Sequence, residues 1–169
     1  MLAISQASTS TQIAAVRELI REYTAWVFTL TENSAKAPTF EGLEEELATL
    51  PGVYSPPAGH LFLAMQDGEP AGCVALKRHD ANTSELKRLY VRPTFRGLGI
   101  GWHLAKAVVA AARQSGYKRI VLDSHISMRS AHQIYTALGF KVVATPDDFP
   151  ASLKPVVVFM ECDLTKEKT

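Results

Sequence analysis

From Ile13 onward apolar residues recur three and four positions apart: Ile13, Val16, Leu19, Ile20, Tyr23, Val27 and Leu30. That is the spacing of one helix face. Leu2 to Ala7 ahead of it suits a short strand, and Ser8, Thr9 and Ser10 offer helix caps. Phe40 to Leu50 predicts a second, short helix, with Leu43, Leu47 and Leu50 on one side and Glu41, Glu44, Glu45 and Glu46 mostly off it. Pro51-Gly52 stops it, and Tyr54 to Gly59 reads as a Pro-rich loop.

The period then changes. Leu61 to Gln66 is an apolar run ending at Asp67-Gly68, a hairpin signal. Ala71 to Lys77 follows, then a polar turn from His79 to Thr83. Glu85 to Val91 carries Leu86, Leu89 and Val91 among Glu85, Lys87 and Arg88. Three strands joined by short turns make an antiparallel meander. Gly99 to Gln114 is helical, with Ile100, Leu104, Ala107, Val108 and Ala111 along one side, and Ser115-Gly116 ends it. Ile120 to Leu122 is a short strand. Ser127 to Leu138 is a helix bearing Ala131, Ile134, Tyr135 and Leu138, stopped by Gly139. Phe140 to Val143 and Val156 to Cys162 are the last strands, around a loop from Thr145 to Pro155. The charged tail from Thr165 to Thr169 is expected to fray. This order predicts an α/β fold with a mixed sheet, as one domain over residues 1–169.

Composition changes this picture little. Hydrophobic residues make up 47% and charged residues 21%, the balance of a globular chain. The net charge of +1 gives no global pull toward nucleic acid or an anionic membrane, so an anionic ligand must be held locally. Cys73 and Cys162 both fall in strand runs, without histidines at ligand spacing, and read as small buried residues rather than a metal site. The N-terminus lacks the pattern of a secretory signal, and no apolar run is long enough to span a bilayer. A cytoplasmic protein is expected.

The chemistry concentrates in Arg96-Gly97-Leu98-Gly99-Ile100-Gly101. A strand ends near Pro93, which cannot donate to a ladder, and a helix opens near Gly99. Glycines admit unusual dihedrals and close approach of a phosphate. Free amides at the helix N-terminus point at the anion, and Arg96 adds charge-assisted bonds. A pyrophosphate fits. A Walker loop is excluded, because Trp102-His103 follows Gly101 where Lys-Ser/Thr is needed. A dinucleotide fingerprint is excluded too, because Trp102 stands where its third glycine belongs and the preceding strands form a meander. The competing reading is a structural turn with no ligand.

The stretch from Glu85 to Phe140 resembles the GNAT superfamily of acyl-CoA-dependent N-acyltransferases. Arg96 to Gly101 resembles its Gln/Arg-x-x-Gly-x-Gly/Ala loop. Ala131-His132-Gln133-Ile134-Tyr135-Thr136-Ala137-Leu138-Gly139-Phe140 resembles its Ala-x-x-Leu-Tyr-x-x-Leu-Gly-Phe signature, in the family's order and spacing. The resemblance implies a mostly antiparallel central sheet flanked by helices. It implies acetyl-CoA as cosubstrate, without a metal, and direct attack by a primary amine in a ternary complex. Leu89, Tyr90 and Val91 would run beside the pantetheine arm, with an amide near Val91 polarising the thioester carbonyl. Arg96, Gly97, Leu98, Gly99, Ile100 and Gly101 would take the pyrophosphate. Tyr135 would give a proton to the departing thiolate. It also lies on the packed face of its helix, and a buried ring with a hydroxyl at a cavity satisfies both.

Glu85 matches a family position for the base that frees the amine, through water. Its other reading is a solvated strand end. His79 and His125 are the alternatives. Where many members carry Asn seven residues before the tyrosine, this chain has Met128. The acceptor is expected between Thr31 to Gly59 and Thr145 to Pro155. Glu41, Glu44, Glu45, Glu46, Asp147 and Asp148 there would attract a cationic amine, or simply form a wet face. A small-molecule or peptide amine and a homodimer are the partners implied. A non-catalytic acyl-CoA sensor or interaction domain on the same fold is the competing function.

Overall fold

Thr9 starts the first helix by a reciprocal cap. Its hydroxyl accepts from the Gln12 amide at 3.2 Å, and the Gln12 side chain accepts from the Thr9 amide at 3.1 Å. The computed structural model describes residues 1–166, so the last three residues of the charged tail lie outside the described residues. After β1 (Leu2–Gln6), helix α1 spans Ser10–Val27, beginning three residues before Ile13 because the cap sits at Thr9. It ends before Leu30, and Phe28 turns edge-on to Phe40 at 5.1 Å. The second helix is shorter than expected. Only Leu43–Ala48 forms α2, after a 3-10 turn at Pro38–Phe40. Gly42, at φ +71°, breaks the path between them.

Strands β2 (His60–Gln66), β3 (Glu69–Arg78) and β4 (Thr83–Val91) make the expected meander. Helix α3 (Ile100–Gln114), β5 (Arg119–His125), α4 (Arg129–Ala137), β6 (Lys141–Val143) and β7 (Val157–Asp163) complete the chain. Helix α4 starts two residues late. Ser127 is drawn instead to the His125 ring, its amide donating to Nδ1 at 3.1 Å.

The sheet order is β1-β2-β3-β4-β5-β7-β6. Only β4 and β5 run parallel, and every other pairing is antiparallel. Each face of the sheet has its own core. Leu104, Val108, Ile120, Tyr135 and Phe140 fill the α3 and α4 side, and Leu19, Ile20, Tyr54, Leu63 and Tyr90 the α1 and α2 side. Burying such side chains stabilises the fold by about 1.5–3 kcal/mol each. A third cluster of Val27, Ala37, Phe40, Phe149 and Leu153 joins the loop after α1 to the loop before β7. Cys73 and Cys162 are buried. Among the described residues no helix is long and apolar enough to cross a membrane.

Candidate active site

Strands β4 and β5 are registered over three pairs only: Thr83 with Arg119, Ser84 with Ile120 and Glu85 with Val121. Beyond Glu85 the edge of β4 that faces β5 has no strand partner. On its other edge β4 carries a bulge. Cys73 pairs with Tyr90 but Ala75 pairs with Lys87, so Arg88 and Leu89 together face one residue of β3. Arg88 takes the left-handed conformation, φ +61°. A bulge re-aims side chains. Here it places Lys87 and Arg88 toward α1 and α2, and turns Leu89 toward the α3 and α4 core.

Two cavities open where the strands part. One, of about 60 Å³, lies on the α1 and α2 side and is lined by Phe40, Lys87, Arg88, Asp123, His125 and Tyr135, among others. The other is a groove of about 620 Å³ along Tyr90, Val91, the turn before α3 and the start of α4. They share Leu89, Met128 and Ala131 in their walls. A chain laid along the groove therefore reaches the small cavity at those three residues.

The groove gathers Leu89, Tyr90, Val91, Arg96, Gly97, Gly99, Ile100 and Gly101 in its wall; the exposed Leu98 projects away from it. Gly97 and Gly99 stand at φ +84° and +77°. Among the described residues, the amides from Gly97 to Trp102 donate to no protein acceptor; the first bond closing α3 runs from the His103 amide to the Gly99 carbonyl, at 3.1 Å. A row of unmet amides at a helix N-terminus is a cradle for phosphate oxygens. Arg96 is held over it, donating to the Val91 carbonyl at 3.0 Å and lying 5.5 Å from the Trp26 ring. Arg129 adds a second cation to the wall. The chemistry of coenzyme A, an anion joined to a thin amphipathic arm, fits this groove. Replacing Gly99 with Val strains a left-handed residue by about 1–2 kcal/mol. A fall in Tm of that size, with a smaller stabilisation by acetyl-CoA in the same thermal melt, is the expected result.

Tyr135 reaches the small cavity from α4. Its ring is buried, 5.5 Å from that of Phe140, and its hydroxyl makes no hydrogen bond among the described residues. Burial, reinforced by the charges of Tyr23 and Asp123, pushes its pKa up. The phenol is therefore a neutral proton donor at physiological pH.

Glu85 occupies the last registered pair and lines neither cavity. It lies 3.9 Å from Lys77. Asp123, two residues along β5 from the partner of Glu85, does line the small cavity. Burial raises its pKa, and the charge of Glu85 raises it further. His125 borders the cavity but is committed. Its Nδ1 accepts from the Ser127 amide, so Nε2 donates to the Thr31 hydroxyl at 2.7 Å. His79 sits exposed in the β3–β4 turn and donates its amide to the Thr83 carbonyl, away from both cavities.

Both segments expected near the acceptor reach the wall of the small cavity. Ser34, Ala37, Thr39 and Phe40 come from one, and Leu153 from the other. Their acidic residues do not. Glu41, Glu44, Glu45, Asp147 and Asp148 are exposed and outside the cavity. Glu46 turns inward and is bonded by Arg88, at 2.9 and 3.0 Å, and by the Tyr54 hydroxyl at 2.8 Å. The charged residues of the cavity wall are Lys87, Arg88 and Asp123. Sequence reading missed Arg88 and Asp123. Leu86 and Leu89 stand three apart in a strand whose apolar face repeats every two, and that extra residue was the available sign of the bulge. Among the described residues no cluster of three or more His, Cys, Asp or Glu is placed to hold a metal.

The sequence profile of the acetyltransferase (GNAT) family matches residues 15–140. An N-acetyltransferase of Schizosaccharomyces pombe, itself uncharacterised, is 35% identical over 130 residues, 76% of this chain and 78% of that protein. The N-acetylaspartate synthetase of Danio rerio is 35% identical over 109 residues, 63% of this chain. The match spans only 39% of that synthetase's length. Among solved structures, the PaiA N-acetyltransferase of Thermoplasma acidophilum in complex with coenzyme A has the same fold. Its TM-score is 0.70 at 21% identity, over 96% of this chain and 99% of that one.

Proposed function

The chain belongs to the acetyltransferase (GNAT) family, and on that premise we propose that it moves an acetyl group from acetyl-CoA to a primary amine, by direct attack in a ternary complex. The observation that carries this reading is the meeting of the two cavities at Leu89, Met128 and Ala131, with Tyr135 lining the smaller one. The phosphates lie on the amides from Gly97 to Gly101, under Arg96. The arm follows Leu89, Tyr90 and Val91 along the unpaired edge of β4, whose amides are the donors for the acyl oxygen. Preorganised amides of this kind stabilise the charge that builds there. The amine enters from the small cavity. Its nitrogen bonds to the acyl carbon as the carbon–sulfur bond breaks, and Tyr135 protonates the leaving sulfur. Glu85 takes up the proton released from nitrogen through water.

Two measurements test this. Acetyl-CoA at about a hundredfold excess over its Kd stabilises by about 2.7 kcal/mol, which is roughly 5–10 °C in Tm for a chain of this size. Free-thiol release from acetyl-CoA, followed over a panel of amines, reports turnover. A Tm that does not move with millimolar acetyl-CoA would sink the proposal.

A further inference from the structure

The small cavity holds charges of opposite sign that do not pair with each other. Glu85 and Val121 are the last registered residues of the parallel strands. Two residues on, Lys87 and Asp123 reach the same face, where the strands have parted. Lys87 is half-buried, and its ammonium donates only to the Thr39 carbonyl, at 3.3 Å. Among the described residues it forms no ion pair. Asp123, which lines the same cavity, forms none either. Arg88, beside Lys87, spends Nε and Nη2 on Glu46 and Thr39 and keeps Nη1 with a single long contact, 3.4 Å to the Thr39 hydroxyl. Buried charges are ordinarily paired. Here Lys87 on β4 and Asp123 on β5 face a common space and neither has an ion-pair partner among the described residues, whereas Arg88 beside them is paired with Glu46.

That space is small. At about 60 Å³ it takes roughly four water-sized groups. The aromatic and aliphatic side chains of Phe40, Val27, Leu153 and Val157 line it.

We propose that the acceptor is a small zwitterion, an amino acid or another amine with a carboxylate near its nitrogen. Its ammonium lies at Asp123, and its carboxylate lies between Lys87 and the free edge of the Arg88 guanidinium. This rests on the transferase reading above and names the acceptor class of that site. Each end of such a ligand supplies the counter-charge that the wall lacks. A diamine or polyamine would bring a second cation against Lys87 and Arg88. A peptide N-terminus has no carboxylate in reach and too much bulk. Asp123 and Lys87 are then specificity-determining residues that touch the acceptor. On transfer the ammonium loses two protons in all. One is balanced by the proton that ends on coenzyme A sulfur, and the other leaves by way of Glu85.

The test is thiol release from acetyl-CoA with free amino acids, compared with the same amino acids amidated or esterified at the carboxylate, and with simple diamines. Turnover with the free amino acids is expected, and blocking the carboxylate lowers kcat/KM by about 10- to 100-fold. Lys87→Met raises KM for the free amino acid by a similar factor, leaves KM for acetyl-CoA unchanged and removes the difference between free and blocked acceptors. Lys87→Arg restores part of it. The comparison of free and blocked acceptors needs no variant, so misfolding of Lys87→Met does not decide the question. Blocked acceptors or diamines that turn over as well as the free amino acids overturn this inference and leave the transferase reading standing. No thiol from any amine, with acetyl-CoA still raising Tm, overturns both.

Discussion

Replacing Tyr135 with Phe lowers kcat by about 10²–10⁴-fold, the range of a lost general acid, and leaves the acetyl-CoA-induced rise in Tm intact. The separation follows from where the two ends of this side chain lie. The ring is part of the α3 and α4 core and touches Phe140. Phe keeps that packing. Tyr135 lines the small cavity and its hydroxyl makes no hydrogen bond among the described residues, so its removal breaks none in the folded state. Tm of the free variant should therefore stay within a degree or two, as for other changes that leave contacts in place. The coenzyme groove does not include Tyr135 in its wall, so binding there is untouched. Single-turnover thiol release and a thermal melt with acetyl-CoA, on the same preparation, decide it. A variant as active as the parent would make Tyr135 a core aromatic alone. It would also revive the reading of the fold as a non-catalytic acyl-CoA sensor if the parent showed no turnover either.

Replacing Arg88 with Met destabilises the protein by about 3–5 kcal/mol, the cost of stranding one member of a buried pair. In a chain of this length that is roughly 6–20 °C in Tm. Arg88 is 4% exposed and ties three segments together. Its guanidinium bonds the Glu46 carboxylate of α2 twice, bonds the Thr39 carbonyl at 2.6 Å, and lies 5.0 Å from the Phe40 ring. The Tyr54 hydroxyl holds the same carboxylate.

The pH dependence separates charge from packing. Burial alone would raise the Glu46 pKa, but the bonds and charge of Arg88, with the Tyr54 bond, bring it below the ordinary value. A carboxyl depressed in the folded state binds fewer protons there than in the unfolded chain. Its contribution is present above the unfolded pKa and is lost as pH falls through the folded pKa. Without Arg88 burial dominates, and the sign reverses. The Tm gap between parent and variant should therefore be wide at neutral pH and narrow below the ordinary Glu range. A gap constant with pH would place the loss in packing at the bulge. Replacing Glu46 with Leu together with Arg88→Met should recover much of the stability, since two apolar residues leave no stranded charge.

Local chemistry made part of this site legible. Glycines flanking Leu98, a proline at the end of β4 and an arginine before them specify an anion-binding turn, because dihedral freedom and unmet amides are properties of a few adjacent residues. Tyr135 was legible for the same reason: its place on α4 follows from helical spacing. Element boundaries were less so. Gly42 stopped a helix that the leucine spacing alone would have carried through it, and the Thr9 cap extended another.

The small cavity was not legible, because it depends on which residues meet. Arg88 and Glu46 are 42 positions apart, and nothing near either names the other. The acidic residues after α1 suggested a trap for cations. The fold turns three of them to solvent and spends the fourth on Arg88. Asp123 reads in the sequence as one carboxylate in a short strand. It becomes a cavity wall only because β4 and β5 pair for three residues and then part.

The sequence by itself thus determined the Gly-rich turn and the groove beside it, whose geometry is set by backbone conformation within one turn and one helix. The tertiary structure alone decided the small cavity. Its charges come from a bulge, a strand parting and two loops distant in the chain, and the balance between a buried cation and a buried carboxylate exists only once folding has brought them to the same cavity.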